Sequence, residues 1–250
     1  MKRLVKGFFI SLSMFSTVPL RSMWDQKALH WVMPTFPVVG LVIGGLWYGI
    51  AWMLMSFEIP LMLQAVGVLL VPLLLTGGIH LDGYMDVADA VSSRADLKKK
   101  QAILVDPHIG AFAAMALGVY LLAGFAVVYS LIEMSVTLWP LVFIPIWSRC
   151  LAGLILLIGK PMKKTGFVAM FRENNGSCQI ACLWFWLTLS TVVAYVLGGL
   201  TLMYPLVAVL ISGLIATVSV GRKLDGINGD VCGFVITVSE LAGLFVLIFI

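Results

Sequence analysis

Charge is what this sequence has least of. Only 11% of its 250 residues are Asp, Glu, Lys or Arg, while 61% are hydrophobic and the mean hydropathy is +1.07. A soluble domain carries about a quarter charged residues, so this composition excludes an ordinary water-soluble globule and points to the membrane class. Cysteine is also sparse. The four, at positions 150, 178, 182 and 232, form no C-x-x-C pair and lack zinc-type spacing, so they read as apolar residues rather than as disulfides or metal ligands. A net charge of +4 gives no sign of a nucleic-acid partner.

Basic residues are absent from every second connection, and that absence orients the chain. Seven segments reach the roughly 20 apolar residues a spanning helix needs: about 35–57, 60–79, 109–132, 135–159, 179–198, 200–220 and 233–250. The short loops at Glu58, Glu133 and Gly198-Gly199 hold no Lys or Arg. Fifteen of the 16 basic residues fall on the other side, as do all three histidines and nine of the twelve acids. The positive-inside bias puts that side, with the N-terminus, in the cytoplasm. The first residues, "MKRLVKGFFISLSMFSTVPL", begin like a signal peptide, but no small-x-small cleavage site follows. Ser11, Ser13, Ser16 and Thr17 dilute the apolar run, and Pro19 ends it. An uncleaved interfacial or re-entrant helix is expected there. The expected fold is thus an all-α polytopic membrane protein of about seven spans, a single unit in the cell's cytoplasmic membrane with its chemistry facing inward. Its size and class are compatible with a homo-oligomer.

The stretch "GGIHLDGYMDVADA" (77–90) interrupts this pattern. Asp82, Asp86 and Asp89 are spaced i, i+4, i+7, which places three carboxylates on one helical face. Like charges so placed repel. A hard divalent cation such as Mg²⁺ would offset that and leave positions for substrate phosphates; a solvated acidic turn, with Asp82 capping a helix, is the alternative. A second stretch, "LDGINGDVCG" (224–233), echoes the first and adds Asp225 and Asp230. Its Gly226, Gly229 and Gly233 would let backbone amides approach a phosphate, unless they only form a turn. Lys163 and Lys164 supply positive charge on the same side. Arg149 lies inside a span, which is costly, and calls for a partner such as Glu240 or for an anionic ligand. The residues alone therefore imply a divalent metal and a phosphorylated substrate at a membrane surface.

These motifs resemble the cobalamin synthase (adenosylcobinamide-GDP ribazoletransferase) family. "GGIHLDGYMDVADA" is similar to its pattern G-G-[LI]-H-x-D-G-[LF]-x-D-x-x-D, and "VDPHIGAFAAMAL" to its K-D-S-R-I-G-[TA]-[FY]-G stretch. "SRCLAG", "KKTGF", "SMFSTVPL" and "GRKLDGINGDVCGFVITVSEL" follow further family stretches in order. The chain departs from the pattern at Ala90, His108 and Asp225. The resemblance implies transfer of the phosphocobinamide moiety of adenosylcobinamide-GDP to α-ribazole or its 5′-phosphate, with release of GMP. On that reading Mg²⁺ is assigned to Asp82, Asp86, Asp89 and Asp230. Lys163, Lys164 and Arg149, with Gly226 and Gly229, would hold anionic oxygens. His80 is the first candidate general base and Asp225 the second. A CDP-alcohol phosphotransferase is the nearest alternative, but no Ala-Arg follows Asp82-Gly83 as its signature requires. A cation transporter would want acids deep in the spans, where only Glu240 qualifies.

Overall fold

The structure is a computed structural model that describes residues 2–20, 25–57, 59–163, 167–172 and 176–250. Its elements are helices: α1 (Lys2–Phe15), α2 (Val32–Ser56), α3 (Leu61–Thr76), α4 (Ile79–Ser92), α5 (Leu97–Ile103), α6 (Ala111–Glu133), α7 (Pro140–Ile158), α8 (Phe167–Arg172), α9 (Ser177–Gly198), α10 (Met203–Leu224) and α11 (Gly229–Phe245). Extended structure is limited, among the described residues, to one isolated bridge between Pro161 and Ile227.

Helix α7 is the axle. All its residues but Val142 and Ile158 are more than nine-tenths buried, and α2, α9, α10 and α11 surround it. Small residues permit the closest approach. A Cβ on Gly40 of α2 would lie 2.4 Å from the Pro145 carbonyl oxygen, and one on Gly44 would lie 2.5 Å from that of Val142. The outer helices expose large apolar side chains such as Leu122, Val196 and Ile215, as helices facing lipid do.

The all-helical membrane fold is as expected, but the exact count of seven spans is not confirmed. Among the described residues, five helical stretches are long and apolar enough to cross a bilayer, or six if the bent pair α3–α4 counts as one. Two features of the backbone bear on the count. First, the apolar run at 60–79 does not stay straight. Gly77 and Gly78 both adopt left-handed backbone, with φ of 64° and 74°, so α3 ends after 16 residues and α4 leaves it at 92°. Second, 177–224 is one apolar stretch of 48 residues but two helices. It breaks at Gly199, whose φ is 59°, and α9 and α10 both pack on α7. The run read as a span from 135 begins as helix only at Pro140, after a turn.

Helix α1, at 14 residues, is short of a span. It lies against the 3₁₀ turn at Gln26–Trp31 and the start of α2, held by Gly7 against Trp31 and by a 3.0 Å ion pair from Lys6 to Asp25. The segment leaving it caps α3: the Thr17 amide donates to the Leu75 carbonyl at 2.8 Å, and its hydroxyl to that of Leu74 at 3.0 Å. The starts of α2, α6, α9 and α11 and the ends of α7 and α10 gather at one end of the bundle, here called the basic end. Bonds across it include Gln179 Nε2 to the His30 carbonyl at 2.6 Å and Gln101 Nε2 to that of Leu224 at 2.9 Å. Helix α4 packs on α11 and α6 at this end and carries the acidic motif.

Candidate active site

Helix α4 presents two stripes. His80, Gly83, Val87 and Ala90 recur at helical spacing and are buried, chiefly against α11. Asp82, Asp86 and Asp89 form the flanking stripe, as their spacing predicts. Asp82 is exposed and the other two are half-buried. The two helices cross at glycines. A Cβ on Gly83 would sit 2.9 Å from the Cα and carbonyl oxygen of Asp230, and one on Gly233 would sit 3.0 Å from the His80 carbonyl oxygen. Thr237 Oγ1 fastens the crossing by donating to that same carbonyl at 3.1 Å. Two glycines 150 positions apart thus bring Asp230 onto the acidic helix.

The electrostatics record that convergence. Burial pushes the Asp86 carboxyl up to about 6, helped by the negative charges of Asp82, Asp230 and Asp89. Asp89 is partly committed elsewhere: its Oδ1 accepts from the Ala113 amide at 3.3 Å in the first turn of α6, over Gly110, where any Cβ would collide with the carboxylate. Asp230 stands in the first turn of α11, whose N-cap is Asn228. Asn228 Oδ1 accepts from the Val231 amide at 2.9 Å, and its Nδ2 donates to Asp230 Oδ2 at 2.6 Å. Asn228 went unremarked as a functional residue, although "N-G-D" before an apolar run is an N-cap signal. No three His, Cys, Asp or Glu side chains among the described residues stand close enough together to clasp an ion. The donors themselves, hard oxygens on rotatable side chains that repel one another, suit a small divalent cation.

Asp230 borders two cavities. One, of about 180 Å³, is largely apolar; Phe15, Phe36, Ala152 and Phe171 line it together with His80, Asp82 and Gly229. His80 is 9% exposed and stands beside the touching Phe15 and Phe36 rings, which are 4.4 Å from each other and 6.2 Å from the imidazole, and its Nε2 has no hydrogen-bond partner among the described residues. The other cavity, of about 360 Å³, is more polar and joins Gln101, Lys163, Asn228, Gly229 and Asp230.

Three of the residues expected here are elsewhere. Arg149 was expected to hold anionic oxygens. It is instead 1% exposed and paired with Glu240 at 2.6 Å, with Ser148 Oγ donating to the same carboxylate oxygen at 2.7 Å. A charge inside the bundle must be neutralised there, and Glu240 does so. Asp225, the second candidate base, caps α10 in left-handed backbone and turns away to an exposed 2.5 Å ion pair with Lys160. Gly226, with φ of 154°, is used where the chain passes the backbone of Pro161 and Met162: the Met162 amide donates to the Ile227 carbonyl at 3.0 Å, and the Ile227 amide to that of Lys160 at 2.8 Å. It is not at the carboxylates. Lys164 lies outside the described residues. Arg172, not foreseen, anchors α8 by donating to the Leu156 and Gly159 carbonyls at the end of α7.

Comparison with known sequences identifies this architecture. The family described as cobalamin-5-phosphate synthase matches residues 7–248. The chain belongs to that family. Similar proteins include the adenosylcobinamide-GDP ribazoletransferase of Clostridium perfringens, 35% identical over 99% of both chains. That of Clostridium botulinum is 31% identical over 98% of both. That of a Geobacillus species is 33% identical over 73% of this chain and 75% of its own. No solved structure matches. The stretch "GGIHLDGYMDVADA" is thus the α4 stripe, and "LDGINGDVCG" is the turn and helix start that bring Asp230 over it.

Proposed function

We propose that the protein is an adenosylcobinamide-GDP ribazoletransferase acting with Mg²⁺ at the cytoplasmic face of the cell membrane. It transfers the phosphocobinamide moiety to α-ribazole or its 5′-phosphate. A ribose hydroxyl oxygen bonds to the cobinamide-side phosphorus, the bond from that phosphorus to the GMP oxygen breaks, and the hydroxyl proton is released. The relatives' name supports the reaction, and the juxtaposition of Asp230 with the α4 carboxylates is the observation that carries the site. Asp82, Asp86 and Asp230, with the free oxygen of Asp89, are the donors for Mg²⁺, which when bound would neutralise charge on the diphosphate. Lys163 shares a cavity with Asp230 and is positioned for the anionic oxygens. Asn228 holds the Asp230 carboxylate in orientation. The basic loops gather on the same end as the carboxylates, which supports a cytoplasmic site by the positive-inside bias.

A transporter reading loses its one intramembrane acid, because Glu240 is spent on Arg149 and Ser148. The test is to incubate the purified protein in detergent or nanodiscs with adenosylcobinamide-GDP and α-ribazole, with Mg²⁺ or with EDTA, following GMP and the cobamide chromatographically. Both products should form only with the metal. Absence of product with Mg²⁺ present would sink the activity, and undiminished product in EDTA would sink the metal.

A further inference from the structure

The apolar cavity beside the carboxylates is too small for most of the substrates. About 180 Å³ cannot take a corrin ring or a nucleotide, since sites for drug-sized ligands run to about 300–1,000 Å³. An apolar cavity of about 150 Å³ accepts a benzene-sized ring, so this one suits a fused aromatic pair. Its wall is chemically lopsided. Phe15, Met33, Phe36, Ile79, Phe171 and Ile236 supply apolar surface, and the polar side chains are His80, Asp82 and Asp230. Guanine or adenine placed here would bury several donors and acceptors against Phe and Ile, leaving them unpaired. A base with one exposed ring nitrogen and otherwise hydrocarbon edges would not.

Among the described residues, the wall also contains one group that lacks a partner. His80 Nε2 is buried and unbonded among the described residues, and the imidazole lies against the Phe15–Phe36 ring pair while its own carbonyl is fixed by Thr237. A buried polar nitrogen left unsatisfied calls for an explanation, and a ligand atom is one. With its proton on Nε2, the ring can donate a single hydrogen bond into the cavity.

We propose that this cavity is the nucleobase subsite for the acceptor, in which His80 Nε2–H donates to the one unglycosylated ring nitrogen of 5,6-dimethylbenzimidazole while the two methyl groups lie against the apolar wall. The inference rests on the ribazoletransferase reading and refines its acceptor side. Because Asp82 and Asp230 border the same cavity, a base seated there carries its ribose to the carboxylates. His80 then serves as a binding residue rather than as the general base. Specificity follows as well: an acceptor whose ring nitrogen is replaced by carbon leaves His80 unpaired and is disfavoured, the usual behaviour of a site built around one buried hydrogen bond.

Two acceptors test this: α-ribazole and the α-riboside of 5,6-dimethylindole, which has C–H in place of the ring nitrogen. The wild type should show a KM for the indole riboside about tenfold or more above that for α-ribazole, the worth of one net hydrogen bond. His80→Leu should erase the difference by raising the α-ribazole KM about tenfold, with the loss in KM for this acceptor and not in kcat or in the KM for adenosylcobinamide-GDP. His80→Gln, whose amide can donate from a similar place, should restore part of the preference. Ala152→Leu, which fills the cavity from α7, should raise the α-ribazole KM and spare the donor's. Equal losses for both acceptors would assign His80 a purely structural role and overturn the proposal. So would a fall in kcat with both acceptors, the mark of a general base, or an unchanged KM in Ala152→Leu. If the wild type turned over neither acceptor, the reaction assignment would fail by itself. Equilibrium binding of α-ribazole, retained by wild type and lost in His80→Leu, would then uphold the subsite, and no binding to the wild type would end it.

Discussion

Replacing Asp86 with asparagine should stabilise the ion-free protein while abolishing its activity. The α4 carboxylates crowd one another and Asp230, and the cost falls on Asp86, whose carboxyl rises from 3.8 to about 6. At about 1.4 kcal/mol per unit that shift amounts to about 3 kcal/mol. Asp86 is only half-buried, so solvent screening reduces the figure to about 1 kcal/mol. A carboxyl raised in the folded state holds its proton to higher pH than in the unfolded chain, so stability falls as pH rises from about 4 through about 6 and stays lower above that. Asparagine carries no such penalty. In EDTA at pH 7.5 Asp86→Asn should therefore melt about 2–4 °C above wild type, and the gap should close near pH 4. Mg²⁺ should reverse the order, because it binds the folded wild type more tightly and stabilises it by mass action. Thermal unfolding in detergent at the two pH values, with an Mg²⁺ titration and parallel turnover, checks each step. A variant less stable than wild type in EDTA at pH 7.5, or one that gains as much from Mg²⁺ as wild type, would refute the reasoning.

Removing one partner of the buried pair, by Arg149→Met or Glu240→Gln, should cost about 3–5 kcal/mol and collapse the folded yield, whereas Arg149→Met with Glu240→Met should recover most of it; this is read from monodisperse protein after size exclusion. Asp225→Asn should keep kcat within about twofold and cost under about 1 kcal/mol, because it loses only an exposed pair with Lys160; a hundredfold fall in kcat would return Asp225 to the site. Gly83→Val should separate α4 from α11 and lower activity even in protein that inserts normally, since its side chain meets the Asp230 backbone; wild-type turnover would refute the crossing. In a background lacking the four native cysteines, Lys98→Cys should label from the cytoplasm and Glu133→Cys from outside, and the reverse pattern would invert the orientation.

Much of the site was legible because its signals are local. Three aspartates at helical spacing in an oily chain, an intramembrane arginine with a glutamate to match, and glycines next to aspartates are visible in short windows. What was not legible depends on how distant helices meet. The echo of "LDGYMDV" in "LDGINGDV" drew Asp225 into the expected site as the second candidate base. In the fold, however, Asp82 lies within a helix and Asp225 ends one in left-handed backbone facing Lys160. The run at 60–79 scores as a span because hydropathy ignores backbone dihedrals. Gly77 and Gly78 cut it short, and only their φ values reveal the turn. Arg149 was recognised as needing neutralisation, but which anion supplied it depended on the α7–α11 packing.

That turn at Gly77-Gly78 also accounts for why this chemistry sits where it does. If α4 continued along α3, which runs toward the basic end, its three aspartates would leave the bundle and lose their crossing with α11 and Asp230. Bending by 92° keeps them at the basic end, while His80, on the buried stripe of the same helix, still reaches into the bundle. One helix thus spans a polarity boundary across its width rather than along its length. On one side it presents carboxylates to water and to diphosphate. On the other it walls an apolar cavity that a soluble protein of this size would have to build from a core of its own, and that this protein takes from helix ends already made hydrophobic by the membrane. Phe15 from α1, Phe36 from α2 and Ala152 from α7 are residues such a bundle supplies in any case, and Gly83 and Gly233 bring the acidic and the apolar halves within one substrate's reach.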